Sequence, residues 1–368
     1  MLIYFLTIIF FLFCSITNEI YILNNKTKNL LTSLCFITLI LEFGFRWETG
    51  TDWEPYFNHF KSFTGFTSII ISDFEYGYGL FEYLIFLFTN NYTILLVIHS
   101  IIFFLLIINS FKKYSPNLYL SLLLFYTSFM GVTGSNRQLL ALSICVYSIK
   151  FILQKKPLNF IIAVLIASSF HSTALIFLIC YFLNSNVKFT SFFILLISSI
   201  VIGKTQLPLY FLNKTSTFFS EMLIYKLNFY TESAKDAIIE KSLTFIGLIK
   251  RMLFLLLFFY TKKRLSLKFH YYNILFNIYL VGISIYFLFS SSLLIFVNRG
   301  SLYFNIMEPI LLTMQLYFFN DKRIKIIGLI TLFILSIGLF FQSISAYEDL
   351  FVPYKGIFIN SDYIRNLY

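Results

Sequence analysis

The chain has 368 residues, of which 58% are hydrophobic, 21% aromatic and only 12% charged, with a formal net charge of +11. Soluble globular chains carry roughly 25% charged residues, so this chain cannot clothe a water-facing surface of its size, and a soluble enzyme, a disordered tail, a collagen-like chain and a disulfide scaffold are excluded. Recurring apolar runs of about 20 residues predict an all-α polytopic integral membrane protein, without the short alternating pattern of an outer-membrane barrel.

In chain order the predicted apolar spans are 2–23, 30–45, 92–111, 117–135, 138–153, 158–183, 189–203, 243–261, 270–298, 300–319 and 325–345. Together they predict about 11–12 transmembrane helices in a single transmembrane domain, residues 1–345. No basic region precedes the first run and no small-residue cleavage site follows it, so 2–23 is expected to be a retained helix. The four cysteines, Cys14, Cys35, Cys145 and Cys180, lie inside apolar segments with no CxxC pair, and read as packed thiols. A shorter apolar stretch, 76–90, lies between polar flanks, and two polar stretches are long, 46–75 and 204–242. A tail, 346–368, ends the chain, and no internal repeat is visible.

The lysines set the expected orientation. Lys26 and Lys28, Lys112 and Lys113, Lys155 and Lys156, Lys262 to Arg264 with Lys268, and Lys322 to Lys325 all sit in short turns between apolar runs. Placing them in the cytoplasm puts 46–75, 204–242 and the tail 346–368 on the outer face. The basic balance then reports membrane topology, with the lipid bilayer as partner and no nucleic acid. Parity requires that 76–90 not cross, so an interfacial or re-entrant helix on the outer face is expected there. The same argument makes 158–183 enter and return, turning near Ser168 to Ser172. The alternative is one ordinary span with a neighbouring loop that breaks the charge rule.

Ionisable side chains near membrane depth need a reason, since each costs roughly 2.5–3.5 kcal/mol on insertion scales. Arg46 directly follows span 30–45, Arg137 lies in Gly134–Ser135–Asn136–Arg137–Gln138, and Arg299 in Asn298–Arg299–Gly300. Lys250 and Arg251 fall midway along span 243–261, and His171 lies in an otherwise apolar stretch. Each alone is also readable as a snorkelling anchor or a hydrogen-bonded core residue. Outer-face arginines, however, run against the positive-inside trend. Together they suggest an outward-facing cationic cavity for an anionic ligand, since guanidinium forks suit phosphate oxygens. The outer segment adds Glu48, Asp52, Glu54, Asp73 and Glu75, which read either as a solvated acidic loop or as partners that fix the guanidinium groups and accept a proton. There is no DxD pair and no His/Cys/Asp cluster at metal-ligand spacing, so no metal or other cofactor is expected.

The order of these motifs resembles the EpsG-like branch of the Wzy-type polysaccharide polymerases. Arg46–Trp47–Glu48–Thr49–Gly50–Thr51–Asp52–Trp53–Glu54–Pro55–Tyr56 resembles its R-x-x-x-G-x-D-x-x-x-Y signature, and Glu75–Tyr76–Gly77–Tyr78 its E-x-G-[FY]. Asn136–Arg137–Gln138–Leu139–Leu140–Ala141 resembles x-R-Q-x-[LI]-A, and Ala167 to Leu175, with His171 at its centre, resembles A-x-x-F-H-x-[ST]-A-[LI]. Arg299–Gly300–Ser301–Leu302–Tyr303–Phe304 and Val352–Pro353–Tyr354–Lys355 resemble R-x-x-x-Y-[FL] and the tail x-P-Y-[KR]. The resemblance runs from about residue 40 to 356. Trp47 and Trp53 stand where that family often has Tyr, and 204–242 matches nothing in it.

The resemblance implies a GT-C-like, metal-independent glycosyltransferase of the bacterial inner (cytoplasmic) membrane, with its active site facing the periplasm. Such enzymes serve O-antigen, capsule or exopolysaccharide synthesis. Donor and acceptor are undecaprenyl-diphosphate-linked oligosaccharides, and a separate chain-length regulator is a further partner the resemblance suggests. On this reading Arg137 and Arg299 hold the donor diphosphate, with Gln138 beside Arg137 and Arg251 as a further contact. Arg46 holds the acceptor's diphosphate or orders the acidic loop. His171 is the first choice of proton acceptor, because imidazole titrates near neutral pH, with Asp52 or Glu75 second. Tyr56 and Tyr303 bind or stack on sugars. The rival readings are a lipid-linked-oligosaccharide flippase, which should show two pseudo-symmetric halves, an O-antigen ligase and, more distantly, a membrane O-acetyltransferase.

Overall fold

The structure, a computed structural model, describes residues 1–72, 74–208, 210, 214, 245–289 and 299–364. In chain order its helices are α1 Leu2–Ile20, α2 Asn25–Gly44, α3 Trp53–Lys61, α4 Thr67–Ile71, α5 Tyr76–Phe86, α6 Tyr92–Tyr114, α7 Leu118–Phe129, α8 Asn136–Leu153, α9 Pro157–Phe170, α10 Phe189–Gly203, α11 Phe245–Lys268, α12 Tyr272–Phe289, α13 Leu302–Asn305, α14 Glu308–Gln315, α15 Lys322–Ile344 and α16 Glu348–Phe351. Among the described residues there is no strand, only isolated bridges in the tail region. The chain divides into two compact units, Met1–Leu175 with Leu312–Tyr368, and Ile176–Leu311. The stretch expected as one domain, 1–345, contributes to both.

The helix starts follow local chemistry. Asn24 Oδ1 accepts from Thr27 N at 2.8 Å, Asn91 Oδ1 from Thr93 N at 2.9 Å, and Asn117 Oδ1 from Leu120 N at 3.2 Å, so α2, α6 and α7 each begin on an asparagine cap. Asp321 does the same for α15, and Pro157 opens α9 at a position that needs no N–H.

Among the described residues six helices are long and apolar enough to cross a membrane, namely α1, α2, α6, α8, α12 and α15, and shorter apolar helices accompany them. The chain is therefore an all-α, multi-pass membrane protein. The outward faces say the same. On α1 the side chains of Leu2, Leu6, Ile9 and Phe13 are exposed while Tyr4, Ile8, Phe11 and Cys14 are buried. An exposed apolar stripe of that kind fits hydrocarbon and not water. All four cysteines are buried.

The stretch 76–90, expected not to cross, holds the 11-residue α5, about 16 Å at 1.5 Å per residue and too short for a core of about 30 Å. The stretch 158–183 is interrupted at His171, whose backbone is extended (φ −156°, ψ 116°), and continues as a 3-10 helix over Ser172–Leu183. The stretch 300–319 holds the two short helices α13 and α14 in place of one span. The polar stretch 46–75 is not irregular throughout, because it carries α3 and α4. Asp73 and nearly all of 204–242, with the start of span 243–261, the end of span 270–298 and Asn298, lie outside the described residues.

In the first unit α2 packs on α6, α6 on α8, α8 on α9, and α1 and α15 both on α7. In the second, α10 and α11 pack on α12. The candidate site lies where the first unit's helix ends meet the segment 45–75.

Candidate functional site

Two glycines dock the segment after α2 onto the turn before α8. Gly50 has φ 110° and Gly134 has φ 116°, conformations that side chains with a Cβ rarely adopt. They approach backbone to backbone: a Cβ on Gly50 would lie 2.5 Å from Thr133 O, and one on Gly134 would lie 2.7 Å from Thr51 N. Thr51 N donates to Thr133 O at 3.0 Å, and Ser135 Oγ donates to Asp52 Oδ2 at 2.9 Å. The docking fixes Asp52 at the start of α3. One helical turn later Tyr56 is buried, and its hydroxyl faces Arg137.

Arg137, in the first turn of α8, is held on several sides. Its Nη1 donates to Glu75 Oε2 at 2.6 Å and its Nε to Tyr56 Oη at 3.2 Å. Its guanidinium carbon lies 4.0 Å from the centroid of the Phe74 ring, a cation–π distance. The other oxygen of Glu75 accepts from Ser172 N at 3.1 Å and from Ser172 Oγ at 3.2 Å. Gly77 permits this approach of α5 to the end of α9, since a Cβ there would run into Ser169. Burial raises the Glu75 pKa, but Arg137, His171 and the Ser172 N–H outweigh it, and the carboxyl ends below its ordinary value. Burial pushes the Tyr56 phenol above its ordinary value, with Arg137 acting the other way.

His171 occupies the break after α9, next to Ser172, and its ring is buried. Its Nδ1 lies 2.6 Å from Thr173 Oγ1, which fixes the ring's rotation. Glu75 Oε1 and Oε2 are thus engaged by Ser172 and Arg137, His171 Nδ1 by Thr173, and Asp52 Oδ2 by Ser135. Among the described residues no three His, Cys, Asp or Glu side chains are grouped so that they could hold a metal ion.

Arg46 lies one layer deeper. It is only 2% exposed, donating through Nη1 to Phe43 O at 2.5 Å and through Nη2 to Asn136 Oδ1 at 2.7 Å. His99 Nε2 donates to Asn136 O at 2.9 Å. Asn136, the residue before Arg137, is thus tied to Arg46 just after α2 and to His99 on α6. The tail closes over the same segment: Trp47 N donates to Lys355 O at 2.9 Å, Lys355 Nζ meets Glu48 at 2.5 Å, and Ile357 N donates to Phe45 O at 3.0 Å. Gln138 is buried beside Arg137.

The structure thus gathers Arg46, Asp52, Tyr56, Glu75, Arg137, Gln138 and His171 in the first unit. Arg251, Arg299 and Tyr303 belong to the second. There Arg251 donates through Nη1 to Gly247 O at 3.2 Å and lies over the Tyr286 ring at 4.1 Å. Tyr303 is buried, Arg299 is half-buried, and Tyr279 donates to Glu308 Oε2 at 2.8 Å.

Sequence reasoning missed Phe74, Ser172, Ser135 and His99 as parts of this arrangement. Ser172 and Ser135 sit inside motifs already noted, so their proximity to a charged residue was a usable signal. Phe74 and His99 carry none, because one is an ordinary aromatic in an aromatic-rich chain and the other a histidine within a long apolar helix.

A sequence model of the EpsG family matches residues 28–356, most of the chain. No curated protein and no solved structure matches it.

Proposed function

The chain belongs to the EpsG family, and from that premise we propose that it is a polysaccharide polymerase that extends a glycan carried on a lipid diphosphate. The donor is a nascent chain joined through its reducing-end anomeric carbon to undecaprenyl diphosphate. The acceptor is an incoming lipid-linked repeat unit. A sugar hydroxyl oxygen of the acceptor attacks the anomeric carbon, the carbon–oxygen bond to the diphosphate breaks, and lipid diphosphate leaves with the bonding electrons. The hydroxyl proton passes to a base. The reaction takes place at the outer face of the bacterial inner membrane, serving O-antigen, capsule or exopolysaccharide synthesis.

The observation that carries this reading is the clamped guanidinium of Arg137. Charge builds on the diphosphate as the bond breaks, and a preoriented cation in a water-poor site stabilises it without reorganising. Glu75, Tyr56 and Phe74 hold Arg137 in one orientation and leave its remaining N–H groups for phosphate oxygens. The burial of Arg46 favours its role in ordering the 45–50 segment over a direct phosphate contact.

Among the candidate bases, Glu75 fits worst. Both its oxygens already accept hydrogen bonds and its pKa is depressed, so it is a weak base that serves as the anchor of Arg137. His171, oriented by Thr173, is the proposed proton acceptor, with Asp52 second.

The test is a deletion strain complemented with Arg137→Ala. Single lipid-linked repeat units should accumulate on the outer face, with polymer absent. Normal polymer length and amount would remove the assignment. Loss of export of the single units would indicate a flippase.

A further inference from the structure

We infer that His59 and Glu82 form a positioning pair that sets the orientation of Arg137 through Phe74, an inference that rests on the reading of Arg137 given above. His59 lies on α3, three residues after Tyr56, and Glu82 lies on α5, seven residues after Glu75. His59 Nδ1 is 2.5 Å from Glu82 Oε2, and the Glu82 side chain is 0% exposed. His59 Nε2 is 2.6 Å from Ser72 Oγ, which itself accepts from Phe74 N at 2.9 Å. The ring of His59 lies 4.0 Å from that of Phe74 between centroids. Arg137 sits at the same distance, 4.0 Å, from the Phe74 ring.

Phe74 is therefore held twice by one histidine, its ring by a tilted ring contact and its backbone through Ser72. Glu75, the acid partner of Arg137, is the next residue. A shift of the 72–75 segment would move two of the groups that hold the guanidinium at once. The fully buried Glu82 carboxyl at one ring nitrogen and Ser72 Oγ at the other define the orientation of the His59 ring. Burying Glu82 is poor economy for stability alone, since a buried pair often contributes little net. It makes sense as a device that fixes a geometry.

The sequence of contacts Ser72–His59–Glu82 has the connectivity of a nucleophile, base and acid. Ser72 Oγ, however, accepts from Phe74 N at 2.9 Å, so the hydroxyl is tied into the backbone that carries Phe74. The geometry points to positioning.

The test uses the full chain in nanodiscs and lipid-linked repeat units extracted from cells that lack the protein. His59→Ala and Glu82→Gln should each lower kcat tenfold or more, because a misplacement of about 1 Å can cost on the order of 10²-fold. KM should change less than threefold. His59→Asn, which retains a donor toward Glu82, should recover part of the loss. In an Arg137→Lys background, His59→Ala should cost almost nothing more, because its effect runs through the arginine. The second measurement needs no activity: the rate at which phenylglyoxal modifies Arg137, followed by mass spectrometry, should rise severalfold in both His59→Ala and Glu82→Gln.

Additive losses in the Arg137→Lys background, or an unchanged labelling rate in folded variants, would overturn the inference. So would modification of Ser72 by a fluorophosphonate. If wild-type protein forms no polymer while labelling of Arg137 still responds to His59, the polymerase reading fails and the positioning pair stands. If polymerisation requires Arg137 but ignores His59 and Glu82, the reverse holds.

Discussion

Gly50 and Gly134 come from two separate motifs and meet face to face, each with a positive φ and each within Cβ-clash distance of the other's segment. This contact joins the segment that carries Asp52 and Tyr56 to the turn that presents Arg137. Any Cβ meets both a strained backbone and an occupied space. Strain of this kind costs of order 1–3 kcal/mol per site, before the steric term. Gly50→Ala and Gly134→Ala should therefore each lower the thermal unfolding midpoint in detergent and abolish polymer in cells. Gly338, with nothing near its Cβ position, is the control, and Gly338→Ala should leave both unchanged.

Arg137 interacts through a planar fork, and a lysine cannot reproduce that. Its Nη1 reaches Glu75, its Nε reaches Tyr56, and its flat face lies on Phe74. Lysine retains the charge as a single point and loses the fork and the stack. Arg137→Lys should thus behave almost like Arg137→Ala, with polymer synthesis down roughly 10²-fold or more. Tyr56→Phe removes one hydrogen bond and leaves the ring, so it should cost less, about tenfold, near the loss of one such bond. Measuring the length distribution of polymer from complemented cells would rank the three. Arg137→Lys with near-normal polymer would mean that charge alone suffices.

Glu75 sets a pH dependence whose sign follows from its surroundings. Its carboxyl is depressed below the ordinary value, since Arg137, His171 and Ser172 outweigh burial. A depressed carboxyl contributes stability that is fully present above its unfolded value, about 4.3 for glutamate, and lost as pH falls through the lower folded value. The difference in unfolding midpoint between wild type and Glu75→Gln should accordingly stay constant from pH 8 down to about 5 and shrink only in more acid solution. A difference that collapses between pH 6 and 8 would show that the Glu75–Arg137 pair does not hold in solution.

Much of this arrangement was legible in the residues. Composition alone demands a membrane protein, and asparagine caps and lysine-bearing turns mark the helix ends. The arginine and carboxylate motifs named the residues that surround Arg137, because charge in an apolar chain is rare and needs a partner. What sequence could not supply was depth. Arg46 and Arg137 look alike as outer-face arginines, yet one is tied to Asn136 inside the unit and the other to Glu75 at a half-buried edge. At 158–183 hydropathy runs on across His171 while the backbone breaks there; only the flanking lysines, through parity, called for a turn near Ser168 to Ser172. His59 and Glu82 gave no signal, as each lies on a separate short helix and neither falls in a periodic pattern.

The tail offers the last prediction. Tyr354 Oη donates to Glu42 O at 2.7 Å, Lys355 pairs with Glu48 and bridges Trp47 and Thr49 through its carbonyl, and Gly356 pairs with Arg46. Segments that touch in this way must lie on one side of the bilayer. Single cysteines placed at Glu54 and Asn360, both exposed, should therefore react with a membrane-impermeant maleimide from the same side in intact cells. The positive-inside assignment makes that side the outer one. Truncation after Phe351 should also reduce polymer, because it removes the strap that holds Trp47 and Glu48 over the Arg46 layer, whereas truncation after Tyr363 should have no effect. Opposite labelling of the two cysteines would contradict the contact itself, and same-side labelling from within the cytoplasm would invert the proposed orientation while leaving the packing intact.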